Sequence, residues 1–149
     1  MKKNGFFQIT QKVFIRKENL FLVLRDNKSK VGDLPGGRIN EDEFFSDWLV
    51  SIRRELFEEL GKNFVASIYP EPFLVQKHRV EEGQHPCVII GYNANYISGE
   101  IETSEEHDYF EWVDISTYQP EVLFKGYMLQ AVKKYLNICR NNDQINLIM

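Results

Sequence analysis

The sequence predicts a mixed α/β fold, a sheet with helices packed on it. Three observations lead there. Two β-rich runs flank the polar "RKEN" in "FQITQKVFIRKENLFLVLRD"; residues 47–60 carry apolar side chains at helical spacing; and a second helical pattern closes the chain near 126–140.

Taken in order, the first two runs suggest a hairpin with strands near 8–15 and 20–25. "NKSKVGD" is a loop leading into Leu34-Pro35, and Gly36-Gly37 then marks a tight turn or a close backbone approach. Ser46 or Asp47 can cap a helix that runs to Leu60, with Gly61 as its stop. At about 100° per residue Leu49, Ile52, Leu56 and Leu60 form one apolar stripe. Glu55, Glu58 and Glu59 cluster on the adjacent face, with Trp48 and Ser51 on that side one to two turns earlier. "FVASIYPEPFLVQKHRV" and "PCVIIGYNANYIS" read as longer strands, the first broken at Pro70 and Pro72, and "HDYFEWVDI" as a short strand after an acidic loop. In "GYMLQAVKKYLNICR" Met128, Val132, Tyr135 and Cys139 share a face while Lys133 and Lys134 point outward, which makes an amphipathic closing helix.

A chain of 149 residues suits one compact domain, and no repeat, low-complexity tract or linker divides it, so residues 1–149 are read as a single domain. The net charge of -4 argues against duplex nucleic acid as the main partner. Cys87 and Cys139 lie in apolar surroundings without CxxC spacing and read as buried free thiols of a reducing compartment. Polar residues interrupt "MKKNGFFQIT" before a signal-peptide core forms, and no run approaches the roughly 18 apolar residues of a membrane span. "NKS" at Asn27 is then a chance match to a glycosylation acceptor, and a cytoplasmic location without membrane partners is expected.

The chemistry concentrates in "LPGGRINEDEFFSDWLVSIRRELFEELG", residues 34–61. Like charges three and four apart on a helix repel by a few tenths of a kcal/mol per pair. The plain reading is a solvated acidic face. The sharper one is a site for a hard divalent cation, because Glu55, Glu58 and Glu59 project oxygen ligands from one face and a cation cancels their repulsion. A cation such as Mg²⁺ can bridge diphosphate oxygens and position or acidify a water, and Gly-Gly lets main chain approach both.

The run "RELFEELG", residues 54–61, preceded by "LPGG" and by Glu43, resembles the signature of the Nudix hydrolases. The resemblance covers about 28 residues, and the order of strands and helices fits that family's α/β/α sandwich over nearly the whole chain. It implies Mg²⁺, with Mn²⁺ as an alternative, held by Glu55, Glu58, Glu59 and the Gly36 carbonyl. Arg54 would hold the glutamates in place by charge-assisted hydrogen bonds, and Glu55 and Glu58 would serve in catalysis. Glu106, in the loop "SEEHDYFEW", sits where many such enzymes carry an extra ligand or general base, the alternative being a plain acidic loop; for Glu105 and His107 the plain loop role is the reading kept. Arg25 and Arg38 are candidates for gripping substrate phosphate, against a simple surface role. Lys77, His78 and Arg79 read as a solvated basic patch.

Two departures from the pattern stand out. Ten residues separate Glu43 from Arg54 where the family has seven, so about "FFS" is inserted. With Asp47 as the cap, those residues fall in the loop, the helix keeps its length, and Glu43 is the residue whose position is open. Phe44 and Phe45 would pack the insertion or shape a pocket, and Trp48 would support it or stack on a base. Lys62 also stands where an aliphatic residue is usual, beyond the helix stop.

The activity implied is cleavage of the diphosphate linkage of a nucleoside diphosphate linked to another group. A nucleotide sugar or a nucleoside triphosphate comes first, and an RNA 5′ end is the one nucleic-acid substrate in view. No subgroup marker names the substrate, and Gly32-Asp33 replaces the usual aromatic before "LPGG". The alternative class is a Nudix-fold nucleotide-binding module without turnover, which usually lacks part of the glutamate set. An isoprenoid diphosphate isomerase would want a pocket cysteine that neither Cys87 nor Cys139 suggests. Monomer and homodimer both remain open.

Overall fold

A computed structural model of the chain describes residues 2–148 except 81–84, with side chains to Asn142. Eight strands run in chain order as β1 (Gln8–Lys17), β2 (Leu20–Asp26), β3 (Gly32–Asp33), β4 (Gly36–Arg38), β5 (Val65–Ile68), β6 (Leu74–Val80), β7 (His85–Ser98) and β8 (His107–Asp114). Helix α1 (Trp48–Leu60) lies between β4 and β5, and α2 (Gly126–Ile148) closes the described chain.

The hairpin expected at the start forms, with Lys17 opposite Leu20 across a two-residue turn. Its strands alternate core residues between two faces, as the period of two requires. Val13, Ile15, Leu22 and Leu24 face α1, where Ile52, Leu56 and Leu60 cover them. Phe14, Phe21 and Val23 face the other way, against Met128, Ala131, Val132, Tyr135 and Leu136 of α2. The result is an α/β/α sandwich. The sheet is mixed: β1 pairs in parallel with β7, from Gln8–Cys87 to Arg16–Asn95, while β2, β4, β5, β6 and β8 join antiparallel neighbours.

Asp47 caps α1, its carboxylate accepting from the Leu49 N–H at 2.9 Å, and Gly61 ends it at φ +95°. Pro70 and Pro72 fall between β5 and β6, where they break the pairing as expected. The closing helix differs from its predicted extent. It starts at Gly126 but continues to Ile148 rather than stopping near 140, because "NNDQINLI" contains neither Gly nor Pro to end it. Cys87 and Cys139 are both buried and neither forms a disulfide. No described helix is long and apolar enough to cross a membrane.

Candidate active site

The three helix glutamates do not share one environment. Glu58, at the solvent edge, is 53% exposed in its side chain, Glu55 is 15% exposed, and Glu59 is buried. The difference follows from their angles around α1, since Glu59 falls next to the apolar stripe and Glu58 away from it.

Glu59 turns toward β4 and accepts from the Gly36 N–H at 3.0 Å. Gly36 sits at φ +142°, and a Cβ there would come within 1.9 Å of the Gln11 carbonyl oxygen. At Gly37 a Cβ would come within 2.5 Å of Glu55 Oε1. Gly36 is therefore required by its backbone conformation and its approach to the neighbouring strand, whereas a side chain at Gly37 would displace the Glu55 carboxylate.

Arg54 organises the outer carboxylates. Its Nη2 donates to both oxygens of Glu43 at 3.1 and 3.0 Å, and its Nη1 to both oxygens of Glu58 at 3.3 Å, with Glu55 Oε1 at 3.4 Å. The open position of Glu43 is thus resolved in the structure. Residues 41–43 form a single 3₁₀ turn, the extra residues 44–46 lie in the loop that follows, and the Glu43 side chain returns to Arg54. Its carboxyl is lowered from the usual range by the Asn40 backbone N–H, with Arg54 adding to the effect. Trp48 serves the same loop, its indole N–H donating to the Phe44 carbonyl at 2.8 Å and its ring tilted against Phe44. Phe45 is almost fully exposed.

Behind Glu59 lies a buried polar network that the sequence reading did not contain. Lys12 Nζ donates to Asp33 Oδ1 at 2.9 Å and to the Leu34 carbonyl at 3.0 Å, while Asp33 Oδ2 meets His107 Nε2 at 3.0 Å. Burial alone would lower the Lys12 ammonium, but Asp33 and then Glu59 raise it above its usual value. Burial would raise Asp33, yet Lys12 and His107 hold it far below the ordinary carboxylate range. His107 is likewise raised by Asp33 against its own burial. For Glu59 burial wins: its carboxyl is pushed up to about 8 despite Lys12 and the Gly36 N–H. Burial also raises Glu55, with Arg54 opposing and Glu58 adding.

Ligand atoms of Glu59, Glu106 and His107 lie within 4.8 Å of one another. Glu55 and Glu58 are not in that cluster. The end of the loop and the start of β8 bring Glu106 and His107 together with Glu59, whereas Glu105 contributes its carbonyl to Asn27. Arg25 and Arg38 are both spoken for. Arg25 forks onto Asp108 at 2.9 and 3.3 Å beside Lys30, and Arg38 donates to Gln8 at 3.2 Å. Among the basic patch, His78 is half-buried with its Nδ1 unpartnered, not solvated.

Lys12 and Asp33 carried a signal in the sequence. A lysine inside the apolar run "QKVFI" must find an anion or leave the core, and Asp33 stands where an aromatic was expected.

The site's donors suit a divalent cation. A buried carboxyl, a loop carboxylate and an imidazole with a buried unpaired Nδ1 lie together there, and Glu55 stands beside the turn without Cβ atoms.

No protein-family model and no curated protein matches the sequence. Solved structures do resemble the fold. A MutT protein from Methanosarcina mazei Go1 superposes with a TM-score of 0.65 at 22% identity, over 95% of this chain and 99% of that one. A C. elegans Ap4A hydrolase gives 0.69 at 14% identity, over 90% and 98%. An ADP-ribose pyrophosphatase from Streptococcus suis 89-1591 gives 0.60 at 17% identity, over 89% and 92%. At such identities the likeness is one of architecture, and in architecture the chain has the fold of the Nudix hydrolases.

Proposed function

We propose that the protein is a Mg²⁺-dependent pyrophosphohydrolase. Its substrate would be a nucleoside diphosphate linked to another group, with a nucleotide sugar or a nucleoside triphosphate as the first candidates. The observation that carries this reading is the position of the three glutamates on one end of α1, with Glu59 and Glu55 against Gly36-Gly37 and Glu55 and Glu58 tied by Arg54. Solved structures of the same fold described as hydrolases and pyrophosphatases support it.

Glu55, Glu58, Glu59 and the Gly36 carbonyl would hold the cation, with Mn²⁺ as an alternative to Mg²⁺. Bound there, it supplies charge neutralisation for diphosphate oxygens and a more acidic water. The remaining work falls to the chain. Arg54, fixed by Glu43, keeps Glu58 and Glu55 oriented. Glu58, the most accessible of the three, is best placed to take a proton from an attacking water, and Glu106 is the candidate from outside the helix. Arg38 would reach phosphate by giving up one surface contact, whereas Arg25 would have to leave its fork on Asp108. The location is read as cytoplasmic and the partner as a small nucleotide.

A phosphate-release screen with Mg²⁺ over nucleoside triphosphates, nucleotide sugars and dinucleoside polyphosphates tests this. Turnover of one class that disappears in Glu58→Gln supports the reading. Binding without turnover across the panel would favour a nucleotide-binding module.

A further inference from the structure

His107 is the first residue of β8, and its imidazole is 97% buried between Asp33 and the inner end of α1. Asp33 is an acceptor only, so the nitrogen facing it, Nε2, carries a hydrogen. Asp33 is itself pinned by Lys12 Nζ at 2.9 Å and the Leu34 N–H at 2.8 Å, which fixes the ring. The other nitrogen, Nδ1, is buried and has no hydrogen-bond partner. An unmet buried polar atom of that kind calls for an explanation. One nitrogen of this ring lies within 4.8 Å of carboxylate oxygens of both Glu59 and Glu106.

We propose that His107 is a metal ligand through Nδ1, completing a site with Glu59 and Glu106 that favours later first-row metals such as Co²⁺ over Mg²⁺, with Mn²⁺ serving as the spectroscopic probe. This rests on the reading that Glu59 holds a cation. A carboxylate that receives the second N–H of a ligating imidazole is the usual support for such a ligand, orienting it and raising its basicity. Imidazole nitrogen suits the later first-row metals, whereas Mg²⁺ takes oxygen and surrenders its waters reluctantly. Asp33 and Lys12 are then positioning residues for the metal site.

The test uses the chelator-treated full chain and the metals alone. Mn²⁺ is titrated in, and pulsed EPR reads the coupling of nitrogen to the bound ion. The expected result is a directly coordinated nitrogen in the wild type, absent from His107→Gln, with the Co²⁺-to-Mg²⁺ affinity ratio falling on the order of 10-fold or more in that variant. Bound Mn²⁺ without nitrogen coupling overturns the assignment of His107 and leaves the helix carboxylate site standing. Coupling that persists in folded His107→Gln also overturns it, in favour of another nitrogen. No Mn²⁺ binding at all removes both this inference and the metal reading beneath it. If His107→Gln does not fold, the wild-type spectrum together with the wild-type Co²⁺-to-Mg²⁺ ratio decides.

Discussion

The two helices cover the same sheet with opposite economies. On α2 the described buried side chains are Met128, Ala131, Val132, Tyr135, Leu136 and Cys139, and Tyr135 closes a group of rings with Phe14, Phe21 and Phe73 at centroid distances of 4.7–6.1 Å. On α1 the buried Ile52, Leu56 and Leu60 share the helix with a buried glutamate and a half-buried one. Aromatic pairs of this geometry add about 0.5–1.5 kcal/mol each beyond their area, whereas a buried carboxylate without a cation is a liability. Both faces of the sheet carry a core, but only the one under α1 also buries a carboxyl.

The comparison can be broken hardest from the α2 side. Phe14→Ala should lower stability by about 3–5 kcal/mol in urea unfolding, while the fraction that remains folded binds Mn²⁺ as the wild type does. A small loss would mean that the aromatic group is not the anchor described.

On the α1 side the dominant effect should be on rate. Glu59→Gln keeps the shape and the Gly36 contact, so kcat on a confirmed substrate should fall on the order of 10²-fold, with metal-free stability unchanged or higher. Wild-type turnover in both Glu58→Gln and Glu59→Gln would defeat the proposed mechanism.

A gentler probe is pH. The Glu59 carboxyl is raised to about 8, so between its ordinary value and that point the folded state holds a proton that the unfolded chain has lost. Metal-free stability should therefore fall as pH rises from about 4.5 to about 8. His107, also raised, acts in the same direction as pH passes its own range. Melting in chelator at pH 5 and pH 8 reads the sum, and Glu59→Gln isolates the glutamate by flattening the slope. A slope equal in the variant would place the effect on His107 or on Glu55, which is also raised.

The smallest effect should come from the insertion. Deleting residues 44–46 shortens an exposed loop that α1 does not need for its register, since Asp47 caps the helix independently. The melting shift caused by Mn²⁺ should survive, and its loss would show that the loop holds Glu43, and through it Arg54, in place.

Local signals were readable in advance. Asp47 and Gly61 bracketed α1 because a cap and a stop are chemistry of single residues, and the hairpin and Pro70-Pro72 break are equally local. The Lys12–Asp33–His107 network was not read, because it joins three separate strands through sheet register, which no spacing in the sequence displays. The same register gives His107, which reads as a loop residue beside Glu106, its place at the start of β8. The closing helix ran on past 140 because amphipathic periodicity fades there while helix-compatible residues continue.

The parallel pairing of β1 with β7 has a consequence for synthesis. Gln8 must meet Cys87, about 79 residues later, and at ribosomal speeds that interval lasts roughly 4 to 16 s. Through those seconds the hairpin of β1 and β2 can form locally, but the other edge of β1 has no strand to join. Val13, Phe14 and Ile15, with the facing residues of β2, then wait as an unfinished apolar surface. Such long-range closure slows folding and leaves a nascent chain open to wrong partners. β1 is thus made well before the strand that secures its parallel edge.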